Sequence, residues 1–410
     1  MSVTTLQLTA HDPIIARDGR PFGIGQGNRM RGLGWPLPSV VAGSFRTALV
    51  KADAGLDFTR NTPLDLLRVE VAGVFPTVGE ELYLPAPSDA VAEAAVDGKG
   101  IGIVHRVAPQ SNEDGCDFPD DLSLRPVMLS DAQTATDFKP AGVPSWWPHG
   151  QMARWLVGES ITFDRSFLNS ALQETRDHVC LDPDTGAAAE GQIFATAGLN
   201  VTHLPRHGFK SNDTKLPLGD RFAEITLSAR VTIAERAFEH VEKLSTWHPL
   251  GGERRLVHWQ KSDAANLWKC PETVKSALQA ASRIRMVLAA PAIFENGWRP
   301  SWLNKTTLIG KPLGDGPTLK LVGVCISRWR AVSGWAYAPH AEDDGRRRVV
   351  PRDRPGPKAV RRMVPAGGVY FFEKVDGDPR ILATSGWLRP VSDTPHDCRD
   401  GFGLAVWGTW

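Results

Sequence analysis

The sequence predicts an α+β protein made of two similar units, and three observations carry that reading. The chain opens with a β-prone run at residues 3–9 (VTTLQLT), a long glycine-rich loop and then a helix-compatible run. The second half again pairs strand-like runs with a glycine-rich loop, although no literal repeat is present. Thirty-one prolines and thirty-nine glycines call for many turns, few long helices and long irregular insertions.

The densest segment is 17–51, RDGRPFGIGQGNRMRGLGWPLPSVVAGSFRTALVK. Gly23, Gly25 and Gly27 would let backbone N–H groups approach a ligand closely, and the helix N-terminus that follows favours anions. Arg17, Arg20, Arg29 and Arg31 supply forked donors that match phosphate. Ser39 follows a proline and precedes an apolar run, which is the position of an N-cap. Val40, Val41, Phe45, Ala48 and Leu49 then fall on one helical face, with Arg46 and Lys51 adding charge. Gly43 costs such a helix about 1 kcal/mol relative to alanine, which close packing or the approach of a ligand would explain.

Residues 85–165 are rich in proline and acidic residues and read as an irregular insertion. Residues 178–198 read as a hairpin about the turn DPDTG, and 222–233 (FAEITLSARVTI) as a strand by alternation. The segment HPLGGERRLVHW follows, a second glycine-arginine loop with Gly251, Gly252, Arg254 and Arg255. A boundary near 262 divides the chain into 1–262 and 263–410. The second part reads as a helix at 272–283, strands at 285–294, 319–330 and 368–373, and a terminal GFGLAVWGTW. Its arm 345–362 carries eight basic residues and one acid, including Arg361 and Arg362, and reads equally as a solvated loop or an interaction arm.

The bulk numbers narrow the function classes. A net charge of +1 over 410 residues excludes a generic polycation, so any nucleic-acid surface must come from local clustering. Five scattered cysteines without a CxxC pair argue against both a disulfide framework and a zinc site, and suit a reducing cytoplasm. No apolar run approaches the ~20 residues needed to cross a bilayer. The first twenty residues lack the pattern of a signal peptide, so a cytoplasmic protein is expected.

Sites of chemistry are harder to find. In Gly23–Gly27 the spacing departs from GxGxxG, since Asn28 stands where the third glycine belongs, and no GK[ST] follows. His203 and His207 have a metal-like spacing, but Pro205 between them opposes a helix and no carboxylate or cysteine partner is evident. Asp182 and Asp184 read as turn-capping residues, His11-Asp12 as a strand-end turn, and His178 as a packed histidine. Most of the fourteen tryptophans read as core, with one or two, such as Trp335, exposed near a ligand. No cofactor, no metal and no catalytic residue are expected.

The order RDGRPF, WPLPSVVAGSFRTAL, HVCLDPDTGAAAEGQIFATAGL, LGGERR, SGW, VPAGGVYFFE and GFGLAVWG is similar to that of a known family. It resembles the RAMP subunit of type III-B (Cmr) CRISPR effector complexes that holds the 5′ tag of the crRNA, the third member of that module. The resemblance covers nearly the whole chain. It implies two ferredoxin-like (RRM-like) domains whose glycine-rich loops grip RNA. It also implies two protein partners, the large polymerase-like subunit and the backbone RAMP subunit, with target RNA contacted indirectly and no membrane. In such complexes target cleavage belongs to the backbone subunit, and signalling and DNase chemistry to the large one.

On this reading the protein is a non-catalytic crRNA-binding subunit. Arg17, Arg20, Arg29, Arg31 and Arg46 would meet phosphates, and Gly23, Gly25, Gly27 and Gly43 would allow close backbone approach. Gly251, Gly252, Arg254 and Arg255 would form a second grip in which Glu253 pairs an arginine. Ser39, Arg361 and Arg362 complete the candidate set. The rival is a metal-independent endoribonuclease that processes crRNA precursors, with His178 or His11 as acid or base. A third reading is a scaffold whose basic loops meet acidic protein surfaces.

Overall fold

Alternating burial explains the opening strand, Ser2–Ala10. Leu6 and Leu8 are wholly buried while Gln7 between them is half-buried, the period of two that a strand with one covered face requires. A computed structural model of the protein describes residues 2–18, 30–52, 66–94, 101–110, 124–130, 138–209, 215–234, 236–336 and 356–410. Over these it is a mixed α/β protein dominated by strands in several sheets.

The opening strand is the third in a seven-stranded sheet. In spatial order its members are Ser245–Pro249, Leu256–Ser262, Ser2–Ala10, Thr226–Ile233, Glu70–Val78, Glu81–Pro85 and Trp146–Pro148. A six-stranded sheet holds Ile309–Gly310, Thr318–Cys325, Val369–Asp376, Arg283–Leu288, Leu404–Thr409 and Arg389–Pro390. The first sheet thus uses only residues up to 262 and the second only residues from 283 onwards. Within each, four long antiparallel strands stand in the same order: fourth, first, third, second by chain position. The first run is Leu256–Ser262, Ser2–Ala10, Thr226–Ile233, Glu70–Val78, and the second is Leu404–Thr409, Arg283–Leu288, Val369–Asp376, Thr318–Cys325.

The helix after the opening strand, Pro38–Lys51, buries Val41, Phe45, Ala48 and Leu49. Its N-cap is Leu37 with Pro38 at the first helical position, so Ser39 lies inside the first turn and caps nothing. Proline fits there because its fixed φ is already helical and its missing N–H would have lacked an intrahelical partner. The expected strand 222–233 is two strands, Phe222–Glu224 and Thr226–Ile233, interrupted at Ile225; the first pairs with His203–Pro205. The expected helix 272–283 stops at Leu278, and Arg283 already starts a strand.

The described parts of 85–165 hold more regular structure than the composition suggests. Ala90–Ala94, Ile101–Pro109, Val127–Leu129 and Pro140–Ala141 form a four-stranded sheet. The helix His149–Leu156 then buries Met152, Trp155 and Leu156. The segment is fastened to the second sheet by an ion pair between wholly buried Asp89 and Arg285, and the Trp155 indole also donates to Asp89 at 2.9 Å. Trp147, Trp155, Trp259 and Trp407 are all wholly buried in one core that reaches both sheets. Among the described residues no helix is long and apolar enough to cross a membrane.

Candidate nucleic-acid interface

After the opening strand the chain continues extended, anchored by buried Ile14, Ile15 and Ala16. Three distant pieces of sequence bond to this short stretch. Ile14 exchanges backbone hydrogen bonds with Leu199 at 2.9 and 2.8 Å, which attaches the hairpin formed by Leu172–Leu181 and Ala188–Asn200. The Gly252 N–H donates to the Ile15 carbonyl at 2.8 Å, which attaches the GGERR turn. The Leu33 N–H donates to the Ala16 carbonyl at 2.7 Å, and Arg17 bridges Gly32, which attaches the far end of the glycine-rich loop. The Met30 N–H also donates to Ala195 of the hairpin, at 2.9 Å. Three segments that carry the arginines read from the sequence therefore meet at one place. Arg17, Arg31 and Arg254 all stand exposed there.

The turn is built by conformation. Glu253 and Arg254 have φ of 55° and 49°, and the Arg255 N–H reaches the Gly252 carbonyl at 3.4 Å, the geometry of a type I′ hairpin turn. Gly251 has φ of +80°, and a Cβ there would run into the Ile15 carbonyl oxygen. A Cβ on Gly252 would lie 2.9 Å from the Ile15 Cγ2. These two glycines permit close approach to Ile15 of the protein itself. Glu253 is exposed, and among the described residues no arginine lies within ion-pair distance of it.

The surface gathers arginines with carboxylates between them: Asp12, Asp18, Glu174 and Glu253 stand near Arg17, Arg176, Arg254 and Arg255 in the chain or by contact. Asp12 accepts from the Leu256 N–H at 3.3 Å, and that bond holds its carboxyl below the usual value, assisted by His11 and the Arg255 charge. Arg255 is half-buried with its Nε shut off from solvent and without a partner among the described residues. The hairpin adds Arg176, which is paired with Glu174 and feels Asp12. Sequence reading missed this residue because nothing local places the hairpin against the opening segment. The one available signal was Gly198, where a Cβ would sit 2.8 Å from that of Pro13.

The other expected residues fall elsewhere. Arg46 is buried: its Nη1 donates to Asp400 at 2.5 Å, its Nε and Nη2 to the Val69 carbonyl at 3.1 and 2.7 Å, and its Nη2 to the Arg399 carbonyl at 3.2 Å. Every donor group faces the protein, so Arg46 leaves the set of phosphate contacts. Gly43 is exposed with nothing within 4 Å of a Cβ, so packing does not explain it, and Ser39 is half-buried. Arg361 is bound by both oxygens of Asp397 at 2.7 and 2.8 Å, while Arg362 is exposed. Arg20, Gly23, Gly25, Gly27 and Arg29 lie outside the described residues.

His178 bonds the Thr196 hydroxyl at 2.8 Å and stacks on Phe194. Asp182 accepts from the N–H groups of Asp184 and Thr185, both at 2.9 Å, as a turn residue does. Among the described residues no three histidine, cysteine or acidic side chains group as a metal site would.

A family model described as CRISPR-associated protein (Cas_Cmr3) matches residues 6–410. The chain belongs to that family. It is a Cmr-type CRISPR effector subunit. No curated protein matches the chain. Among solved structures it is similar to a chain in a cryo-EM structure of the type III-B Cmr-beta complex bound to cognate target RNA. That match has 12% identity and a TM-score of 0.44, covering 90% of this chain and 86% of the other. It is also similar to a chain of the Csm3–Csm4 subcomplex of a type III-A interference complex, at 9% identity and a TM-score of 0.30, covering 92% and 94%.

Proposed function

We propose that this Cmr-type subunit binds the crRNA 5′ tag without catalysing any step, and that it bridges the large polymerase-like subunit and the backbone RAMP subunits. Target RNA is then met only through the crRNA. The observation that carries the reading is the meeting of exposed Arg17, Arg31 and Arg254 on one short backbone segment, Ile14–Arg17. Guanidinium forks suit phosphate oxygens, and a backbone fixed by mutual hydrogen bonds holds them at set spacing. The shared fourth-first-third-second strand order supports reading each half as a ferredoxin-like unit. Sequence preference would come from splayed bases read on their edges and stacked on aromatics.

The test uses the full chain with tagged and tagless RNA of equal length, without metal. Preferential, salt-sensitive binding of the tagged RNA, recovered intact, is the expected result. Equal affinity for both RNAs would refute tag recognition, and cleavage of either would refute the non-catalytic reading. Incubation of the chain alone with repeat RNA separates the nuclease rival: the RNA stays intact here, and there it is cut by the wild type and not by His178→Ala.

A further inference from the structure

A surface in the second half is not used by the grip described above. Residues 327–331 (SRWRA) are all exposed on the way into the short strand Arg330–Val332, which pairs with Arg361–Met363. Trp335 follows, opening a two-residue strand paired with Gly356–Pro357. Trp329 is 49% exposed and Trp335 63%, whereas four other tryptophans are wholly buried. Large apolar rings left in water call for a partner, and these two stand about 20 Å apart along an extended stretch, a span of several nucleotides.

Their setting is cationic. Arg328, Arg330 and Arg362 are exposed, and the Arg362 guanidinium lies 5.2 Å from the centre of the Trp329 ring. Residues 326–336 and 356–363 contain no aspartate or glutamate. Asp397, the carboxylate that does reach this surface, is already taken by Arg361. The surface is also fixed to the fold. Val332 and Met363 pack with Ile293 and Phe402, and Leu37, the residue that leads into the first long helix, packs against the same group. This ties the patch to the end of the segment that carries Arg31.

We propose that this surface is a second seat for single-stranded RNA, in which bases stack on Trp329 and Trp335 while phosphates meet Arg328, Arg330 and Arg362. The proposal rests on the reading that this chain holds RNA. Charge complementarity selects a polyanion, and the interleaved indoles select one with flat, exposed rings. Stacking of this kind tolerates any base, so the seat holds a strand without choosing its sequence.

The experiment is a binding titration of the full chain at fixed salt with a single-stranded RNA and with an abasic oligonucleotide of the same length. Trp329→Ala with Trp335→Ala is expected to weaken RNA binding at least about fivefold, with an unchanged salt slope and no effect on the abasic strand. Trp329→Phe with Trp335→Phe keeps most of the affinity, which separates stacking from loss of fold. Replacing Arg328, Arg330 and Arg362 together by glutamine lowers the salt slope by about two. Unchanged RNA affinity in the alanine variant, or an equal loss on the abasic strand, overturns the proposal. So does intact RNA binding with lost association to a neighbouring effector subunit, the outcome expected of a protein-docking surface. RNA binding that needs Arg17, Arg31 and Arg254 but not these tryptophans defeats this inference alone. A wild-type chain that binds no RNA defeats the proposed function itself.

Discussion

Replacing Arg46 by methionine separates a structural arginine from a phosphate-binding one. The guanidinium crosses from the first long helix to Asp400 near the C-terminus, and the Asp400 side chain is only 6% exposed. With Arg46 gone, the ion-pair partner that this carboxylate keeps among the described residues is His396 at 3.4 Å. Burial lowers the His396 pKa, so the ring is a poor replacement cation near neutral pH. The Val69 carbonyl also loses its two donors. Breaking a buried pair by removing one partner costs about 3–5 kcal/mol, because the remaining charge is left without water or counter-ion. Urea unfolding of the full chain followed by tryptophan fluorescence should show the loss as a lower midpoint. Arg46→Met with Asp400→Leu should recover much of it, since neither charge is then stranded. RNA affinity and its salt slope should not move at temperatures where the variant is folded. A variant that keeps its stability to within about 1 kcal/mol and loses about 0.7 from the salt slope would show that Arg46 meets phosphate after all.

Two further outcomes follow from the geometry. Burial pushes His149 down to about 4, so its folded-state pKa lies below the unfolded value. The unfolded chain then binds the extra proton, and the contribution is fully present above about pH 6.5 and is lost as pH falls towards 4. His149→Phe should flatten the acid limb of the stability profile by no more than about 3 kcal/mol, and an acid limb identical to wild type would contradict this. At the turn, Glu253→Asn with Arg254→Gly supplies the residues that a type I′ turn prefers. This variant should be at least as stable as wild type yet bind RNA less tightly, whereas Gly251→Ala should lose on the order of 1–3 kcal/mol through its left-handed φ and the contact with Ile15; the two are compared by urea midpoint and RNA titration.

Local pattern made some of this legible. The opening strand, the hairpin around DPDTG and the terminal strand each carry their own alternation or turn chemistry. Sheet order is set by pairings between residues far apart in sequence, and nothing in either strand alone encodes it. The sheet in 90–141 is not legible in the sequence because three of its four strands have five residues or fewer and the fourth, Ile101–Pro109, pairs with segments that carry proline and charge. Arg46 was misjudged although the signal was present: it stands four residues after Ala42 and three before Leu49, both buried on the inner stripe of the helix. The GGERR segment reads as a second grip on RNA, and Ile15 as the group its two glycines approach is not legible, because contact between such distant segments leaves no local trace. Arg17, Arg31 and the GGERR arginines are separate in sequence, and only the bonds of Ile14, Ile15 and Ala16 make them one surface.

The central claim is that this surface holds RNA phosphates. Its most direct test is the salt dependence of tagged-RNA binding by the full chain carrying Arg17→Gln, Arg31→Gln and Arg254→Gln together. All three side chains are exposed, so the fold should persist. The account predicts that the slope of log K against log salt falls by about two, from about 0.7 for each of three phosphate contacts, and that the preference for tagged over tagless RNA declines with it. A slope and a preference equal to those of the wild type would contradict it.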